Sequence, residues 1–451
     1  MNNNLATENI GKLIWTYSLP AIVGTLVMSL YNIVDRVFIG QGVGPLAISG
    51  LALTFPFTIL LMAFGMLVGA GAAARISITL GENNIDKAEK ILANALGLTF
   101  IISGTVVTVS YIFMSDLLRL FGGSEKTIGY AEEYMRIIIP GGILSALSFG
   151  FNNIMRASGY PKKAMYTMII CALINVILDP LFIFVFHWGI QGAAIATNIS
   201  YLVGTIWVLS HFLKSNSTLK FRPGNFRLKK DIVMSIISIG MSPFSMQLAA
   251  TFVYVLINAT LLHYGGDLAI GAFGIINSVN TLIIMVIIGL NQGTQPIIGY
   301  NFGAKNYDRM FKTLKYGIII ATGLTTVGFL IGTFIPSYMA SLFTKDKDLQ
   351  AIATKALRIS VTLFPLIGIP IVITNFFQSI GRAKVSIFLS LTRQFLFLIP
   401  SLLILPPIFG LNGAWVSMPV SDGLSTIVAS ITMYYFIRKF NRIKELPVSE
   451  D

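Results

Sequence analysis

The 451-residue chain is 55% hydrophobic and only 11% charged, with a formal net charge of +13. A soluble domain is about a quarter charged, so this chain cannot cover a water-facing surface and reads as a polytopic α-helical membrane protein. No basic stretch is interleaved with aromatic residues, which argues against a nucleic-acid surface and assigns the positive charge to the loops of a membrane protein.

The first segment, Met1 to Lys12, is polar and mixed in charge. It lacks the basic-then-apolar pattern of a cleaved signal peptide, so insertion is expected to begin with the first span. Apolar windows then predict helices at about 13–35, 46–74, 91–114, 131–155, 164–186 and 190–213. The sole cysteine, Cys171, lies inside one of these runs. It can form neither an intrachain disulfide nor a CxxC site and is expected to be packing. A basic polar segment, 214–230, follows with Lys220, Arg222, Arg227, Lys229 and Lys230. Six more windows fall at about 232–262, 268–297, 314–336, 350–379, 385–405 and 411–437.

Loop charge sets the orientation. Even-numbered connections carry Arg75, Lys87 and Lys90, then Arg156, Lys162 and Lys163, then the central segment, then Lys305, Arg309, Lys312 and Lys315, then Arg382 and Lys384. Odd-numbered connections are poor in Lys and Arg, with Arg36, Arg119, Lys126, Lys345, Lys347 and Lys355. Both termini are therefore expected in the cytoplasm, with the chain multi-pass in the cytoplasmic (inner) membrane.

The halves repeat. Gly266 lies 222 positions after Gly44, and the same offset joins Gly71 to Gly293, Gly81 to Gly303, Asn84 to Asn306, Asp86 to Asp308, Arg136 to Arg358, Asn153 to Asn375 and Gly159 to Gly381. It slips by one at Gly189/Gly410 and Gly192/Gly413. Six helices per repeat give both halves the same orientation, a parallel repeat about an axis along the membrane normal. The expected fold is all-α, with twelve transmembrane helices in two six-helix lobes. The lobes are 1–213 and 231–451, joined by the linker 214–230. Such repeats point to transport by alternating access. A channel or a scaffold is the blander reading. The shared Gly-x-x-Asn-x-Asp after helices 2 and 8 could hinge or latch each lobe on the cytoplasmic side, but reads first as a helix stop with an Asx-type turn.

Chemistry is sparse. No phosphate-loop motif and no His-Glu-x-x-His occur, so neither ATP drive nor a zincin-type site is present in the chain. His187, His211 and His263 lie far apart near helix ends, where an interfacial placement suffices. Nothing points to an enzyme or to an organic cofactor. Ionisable residues within spans are costly and are functional candidates by default. Asp35 follows Tyr31 and Asn32 in helix 1, at a spacing that places all three on one helical face. Asp179 follows Asn175 by one turn in helix 5, and Pro180 cannot donate to the carbonyl of Val176. A carboxylate at low dielectric takes up a proton more readily. Alternatively, two carboxylates with Asn and Thr oxygens and a free carbonyl replace the hydration shell of Na⁺. The blander reading is a pair of helix-end aspartates, with Asp35 neutralised by Arg36. Asp422 in helix 12 has no polar cluster of its own in the sequence. Asn153, Gln378, Arg393 and Gln394 are candidates to line a substrate cavity. In the second repeat Asp35 falls opposite Ile257–Asn258, and the Asp-Pro of helix 5 becomes Ile399-Pro400.

Ser18-Leu19-Pro20, Tyr31-Asn32-x-x-Asp35, Arg156-Ala157-x-Gly159-x-Pro161 and Asn175-x-x-x-Asp179-Pro180 together resemble the multidrug and toxic compound extrusion (MATE) family over essentially the whole chain. The fit is closest to its DinF-like branch. Helices 7 and 10 lack the acidic residues of the NorM-type branch. The resemblance implies antiport of small amphipathic or cationic molecules against H⁺ or Na⁺, with no obligate protein partner. It also implies an ion site resembling Tyr31, Asn32, Asp35, Tyr134, Asn152, Asn175, Asp179 and Thr197, with Asp35 and Asp179 as cation ligands if the ion is Na⁺. Pro20 matches a helix 1 proline linked with bending of that helix, and Pro180 is a second hinge candidate. A flippase for a lipid-linked saccharide or cell-wall precursor is the alternative within related two-lobed exporters.

Overall fold

The computed structural model describes residues 4–43, 45–120 and 127–445. Gly44 and Lys126 of the sequence reading lie outside them. Among the described residues every regular element is helical. The first repeat comprises α1 (Ile10–Gly42), α2 (Pro45–Gly81), α3 (Ile85–Ile112), α4 (Ile128–Ala157), α5 (Pro161–Val185) and α6 (Gly189–Leu213). A continuous run, Lys230–Gly303, is broken at Gly266, whose φ of 64° and ψ of −163° are not helical. It therefore counts as two spans, α7 (230–265) and α8 (267–303). There follow α9 (Tyr307–Phe334), α10 (Lys347–Ser360 with Phe364–Ser379, bent by 57°), α11 (Ala383–Phe409) and α12 (Leu411–Glu445). Resolved at the Gly266 break and at the bent pair, these are the twelve spans the hydropathy predicts.

Local chemistry explains the boundaries. Asn84 caps α3 by accepting from the backbone N–H of Lys87 at 3.0 Å, and Asp86 lies in the first turn, where a carboxylate complements the helix dipole. Asn83 just before it has φ 57°, and so does Lys305, its counterpart in the second repeat. The Gly-x-x-Asn-x-Asp motif is thus a helix stop and restart. Left-handed backbone recurs in register elsewhere too, at Gly159 (φ 102°) with Gly381 (φ 74°), and at Gly189 (φ 55°) with Gly410 (φ 58°). Glycine at these turns avoids the steric cost that a side chain would meet at positive φ.

The chain forms two compact units. One comprises Met1–Thr251, Ile288–Thr313 and Gln378–Ala383, and the other Phe252–Ile287, Leu314–Phe377 and Lys384–Asp451. Between membrane helices there is little hydrophobic drive, so close backbone approach through small residues holds them together. The first unit uses glycine in this way. A Cβ on Gly71 of α2 would lie 2.1 Å from the carbonyl oxygen of Ile236, and one on Gly240 of α7 would lie 1.7 Å from that of Leu67. A Cβ on Gly81 would lie 2.0 Å from the carbonyl oxygen of Tyr300, and one on Gly303 would lie 2.0 Å from that of Ile78. Gly293 of α8 meets the backbone of Ser18 in α1. Ile78 and Tyr300 are repeat counterparts, as are Ser18 and Gly240, so the contacts are reciprocal.

The basic linker is a packed strap on the first unit. Asn94 of α3 donates to the carbonyls of Asn225 and Arg227 and accepts from the N–H of Lys229 at 2.8 Å. Buried Glu89, five residues earlier on the same helix, pairs with Arg222 and accepts from the N–H of Lys220 at 3.2 Å. Leu219 is fully buried, and Phe221 packs among Phe151, Phe212 and Phe226.

Three outcomes follow for stability, each read from the reaction of buried Cys171 with a thiol reagent during heating. Gly303→Ala is expected to lower the unfolding midpoint, costing about 1–3 kcal/mol through overpacking. Gly323→Ala, where a Cβ meets nothing within 4 Å, is expected to be neutral or slightly stabilising. Asn94→Ala strips three backbone groups of their partners and is expected to cost about 1–3 kcal/mol, with the linker becoming susceptible to protease.

Candidate functional site

α1 lies alongside α5, and α5 alongside α6. This brings Asp35 against Asp179, and their carboxyl groups meet at hydrogen-bonding distance. Asp179 is wholly buried and Asp35 is 8% exposed. Asn175, one turn before Asp179, donates from Nδ2 to Asp179 Oδ1 at 3.3 Å and to Thr197 Oγ1 of α6 at 3.2 Å. The same i, i+4 spacing noted in the sequence thus also ties two helices together.

Tyrosines close the cluster. Tyr31 and Tyr134 are buried beside Asp35. The Tyr134 hydroxyl bonds with Thr197, and the Tyr31 hydroxyl with Tyr201. Tyr201 also meets Ser145 of α4. Sequence reasoning missed Tyr201 and Ser145. Tyr201 stands one helical turn after Thr197, which was the signal available. Ser145 is one of many serines in the spans and carried none.

Three oxygen atoms in the cluster are buried with no hydrogen-bond donor: Asp35 Oδ1, Asp179 Oδ2 and Asn175 Oδ1. Orphaned buried acceptors are rare and demand an explanation. Two carboxylates in contact at low dielectric also repel strongly. Both features are answered by one positive charge placed among them, either a proton shared by the carboxyls or a small hard cation coordinated by oxygen. Below them, Pro180 leads into a π-helical turn at Leu181–Val185, an irregularity that often accompanies functional sites.

Other sequence candidates lie elsewhere. Asn32 is exposed and donates to the carbonyl of Met28 in its own helix at 2.7 Å. One residue turns a helix by about 100°, which takes Asn32 off the face shared by Tyr31 and Asp35. Asn152 is buried, but it donates to the carbonyl of Ala164 at 2.7 Å and accepts from Arg156 Nη2 at 3.0 Å. Asn153 accepts from Arg156 Nη1 at 3.0 Å. These two amides solvate a fully buried arginine that makes no ion pair among the described residues. Pro20 is buried within α1. Gln378 and Gln394 are each 9% exposed, Gln378 in the first unit and Gln394 in the second. Arg393 of α11 donates from Nε to Asp422 Oδ1 of α12 at 2.5 Å. The partner of Asp422 is therefore distant in sequence, which is why no local cluster announced it.

Comparisons with known proteins agree with this architecture. The multidrug export protein MepA of Staphylococcus aureus (strain MSSA476) is 29% identical over 424 residues, covering 94% of this chain and 93% of that protein. A solved MOP superfamily transporter from Pyrococcus furiosus superposes with a TM-score of 0.91 at 24% identity, covering 96% of this chain and 97% of the other. An outward-facing multidrug resistance MATE family transporter superposes with a TM-score of 0.92 at 23% identity, covering 97% and 98%. The MatE family model matches twice, at residues 20–181 and 243–404, one match in each sequence repeat. With twelve spans among the described residues once the Gly266 break and the bent pair are resolved, a duplicated chain and both halves matched, the protein belongs to the MatE family of membrane transporters and is not an enzyme.

Proposed function

We propose that this protein is a secondary active multidrug exporter that antiports small amphipathic or cationic molecules against H⁺ or Na⁺. The observation that carries the coupling is the buried contact between Asp35 and Asp179, with three unpartnered oxygens around it. The family membership and the name borne by the staphylococcal relative support the exporter class. The working units are two six-helix lobes, 1–213 and 231–451, joined by the linker 214–230. They rock in alternating access, in the cytoplasmic membrane and with both termini inside. The positive-inside pattern supports that orientation.

In this scheme the cation enters from outside and seats between the aspartates, with Tyr31, Tyr134, Asn175 and Thr197 fixing their geometry. Occupancy disfavours the substrate-bound state. Release to the cytoplasm restores substrate affinity. Pro20 and Pro180 are the places where α1 and α5 yield as the site changes shape. One charge moving down 100 mV supplies about 2.3 kcal/mol, and a tenfold concentration ratio costs about 1.4 kcal/mol. One cation per cycle therefore sustains a gradient of about 50-fold for a substrate without net charge, whereas exchange for a monovalent cationic substrate moves no net charge and draws on the ion's concentration gradient alone. A flippase for a lipid-linked anion calls for a cationic cavity, whereas the mid-span Arg393 is balanced by Asp422.

Efflux of ethidium from proteoliposomes, with pH and Na⁺ gradients imposed separately, tests the scheme and names the ion. Asp179→Asn is expected to reduce gradient-driven efflux at least about tenfold while leaving ethidium binding measurable. Full gradient-driven efflux in that variant would end the coupling assignment. Tyr201→Phe removes only the hydroxyl that bonds with Tyr31 and is expected to lower the apparent affinity for the coupling ion about 3- to 10-fold. The maximal rate at saturating ion should change little.

A further inference from the structure

The strap that joins the two repeats is held more firmly than a tether requires, and it carries charge that the protein leaves unused. Residues 214–230 include six Lys and Arg side chains and no Asp or Glu. α3 grips the strap by its backbone, through Asn94 at Asn225, Arg227 and Lys229 and through Glu89 at Lys220. Arg222 is engaged by Glu89. Arg227, Lys229 and Lys230 are exposed, and among the described residues their side chains form neither an ion pair nor a hydrogen bond. Nearby acids have other roles: Asp86 pairs with Lys90, Glu82 lies 3.9 Å from Lys87, and Asp231 stands in the first turn of α7, where it complements the helix dipole. Two apolar side chains alternate with the free cations. Phe226 and Leu228 are 43% and 42% exposed. Leu228 lies over Gly97 of α3, where a Cβ would stand 3.3 Å from Leu228 Cδ2. One turn further along α3, Phe100 and Ile101 are about half exposed, and the exposed apolar face of a membrane span is its lipid face. α3 has 28 residues, about 42 Å of helix against about 30 Å of hydrocarbon, so its charged first turns project from the acyl region. The strap therefore crosses α3 at headgroup depth, on the border of the lipid face.

We propose that the strap is a docking site for the phosphate headgroup of an anionic phospholipid, seated by Arg227, Lys229 and Lys230, with Phe226 and Leu228 resting against the edge of the acyl chains. Orienting the chain in the membrane requires only that this loop be basic. It requires neither a pinned backbone nor apolar side chains set between the cations. A pinned strap presents its charges and its apolar groups in one fixed place, which lowers the ordering cost of binding. Clustered Lys and Arg next to a span attract anionic headgroups, and arginine matches a phosphate bidentately. A soluble phosphate compound would meet the same cations but would leave Phe226 and Leu228 in water. Their position beside the lipid face selects the lipid. The site is separate from the Asp35–Asp179 contact and from any exported substrate.

The test places an indole at the site with Phe226→Trp in the full-length chain and measures its quenching in proteoliposomes by lipids brominated on the acyl chain. The signal of the four native tryptophans is subtracted with the parent protein. Brominated phosphatidylglycerol is expected to quench about 3- to 10-fold more effectively per mole than brominated phosphatidylcholine, and the preference should shrink as salt is raised from about 0.1 to about 0.5 M. Arg227→Gln, Lys229→Gln and Lys230→Gln together should bring the two lipids to within about twofold of each other. These side chains hold no protein partner, so the variant is expected to fold, and protection of Cys171 during heating checks that it does. Removing three exposed cations elsewhere, with Lys345→Gln, Lys347→Gln and Lys355→Gln, should leave the preference intact. Equal quenching by the two lipids, a preference that survives the strap variant, or one lost equally in the Lys345 set overturns the proposal. So does loss of the preference on adding soluble glycerol phosphate, which would assign the cations to a free phosphate compound. Equal quenching together with shielding of the indole by polyglutamate would overturn it in favour of an acidic protein segment.

Discussion

Two carboxyl groups in contact, away from water, are the constraint around which the first half of this protein is organised. Asp35 and Asp179 come from helices separated by more than a hundred residues, and two ionised carboxylates in contact at low dielectric repel strongly. The surrounding side chains are arranged about that contact. Asn175 binds one carboxylate and ties α5 to α6. Tyr31 and Tyr134 are buried beside Asp35, each with its hydroxyl bonded to a neighbour in the cluster. In the proposed scheme a cation seated here relieves that repulsion, and this relief is what couples the ion to the transport cycle.

Close approach of helices makes such a site rigid. In lipid the packing force is contact itself, and the glycines of α2, α7 and α8 allow backbones to touch carbonyl to Cα. These contacts recur across the sequence repeat, with Gly81 set against Tyr300 and Gly303 against Ile78. The docked linker adds fixed hydrogen bonds to α3 in place of a free tether. Backbone geometry repeats between the two halves where charge does not. Left-handed turns persist at paired positions. The acidic positions do not: Asp35 corresponds to the neighbourhood of Asn258, Asp179-Pro180 corresponds to Ile399-Pro400, and the second repeat has its own pair in Arg393 and Asp422.

Much of the fold was legible in the order of residues because the signals are local or compositional. Spans of apolar residues, sparse charge and basic loops are properties of short windows. The duplication needed only a constant offset. The positions of Asn84 and Asp86 announced a cap, which is a contact among residues three apart. The bend within α10 and the break at Gly266 were less visible, since a hydropathy window does not register backbone angle.

The site divides along the same line. Residue order alone places Asp35, Asn175 and Asp179 within spans, puts Pro180 inside one of them, and offers no nucleotide motif as an energy source. Helix packing is what sets Asp35 against Asp179, turns Asn32 away from a face that Tyr31 keeps, gives Asn152 to Arg156, brings Tyr201 into the cluster, and pairs Asp422 with Arg393. Helical periodicity relates residues three or four apart to about a hundred degrees per step. Which faces of two different helices meet is set by their rotation and contact distance, and that depends on every side chain packed between them.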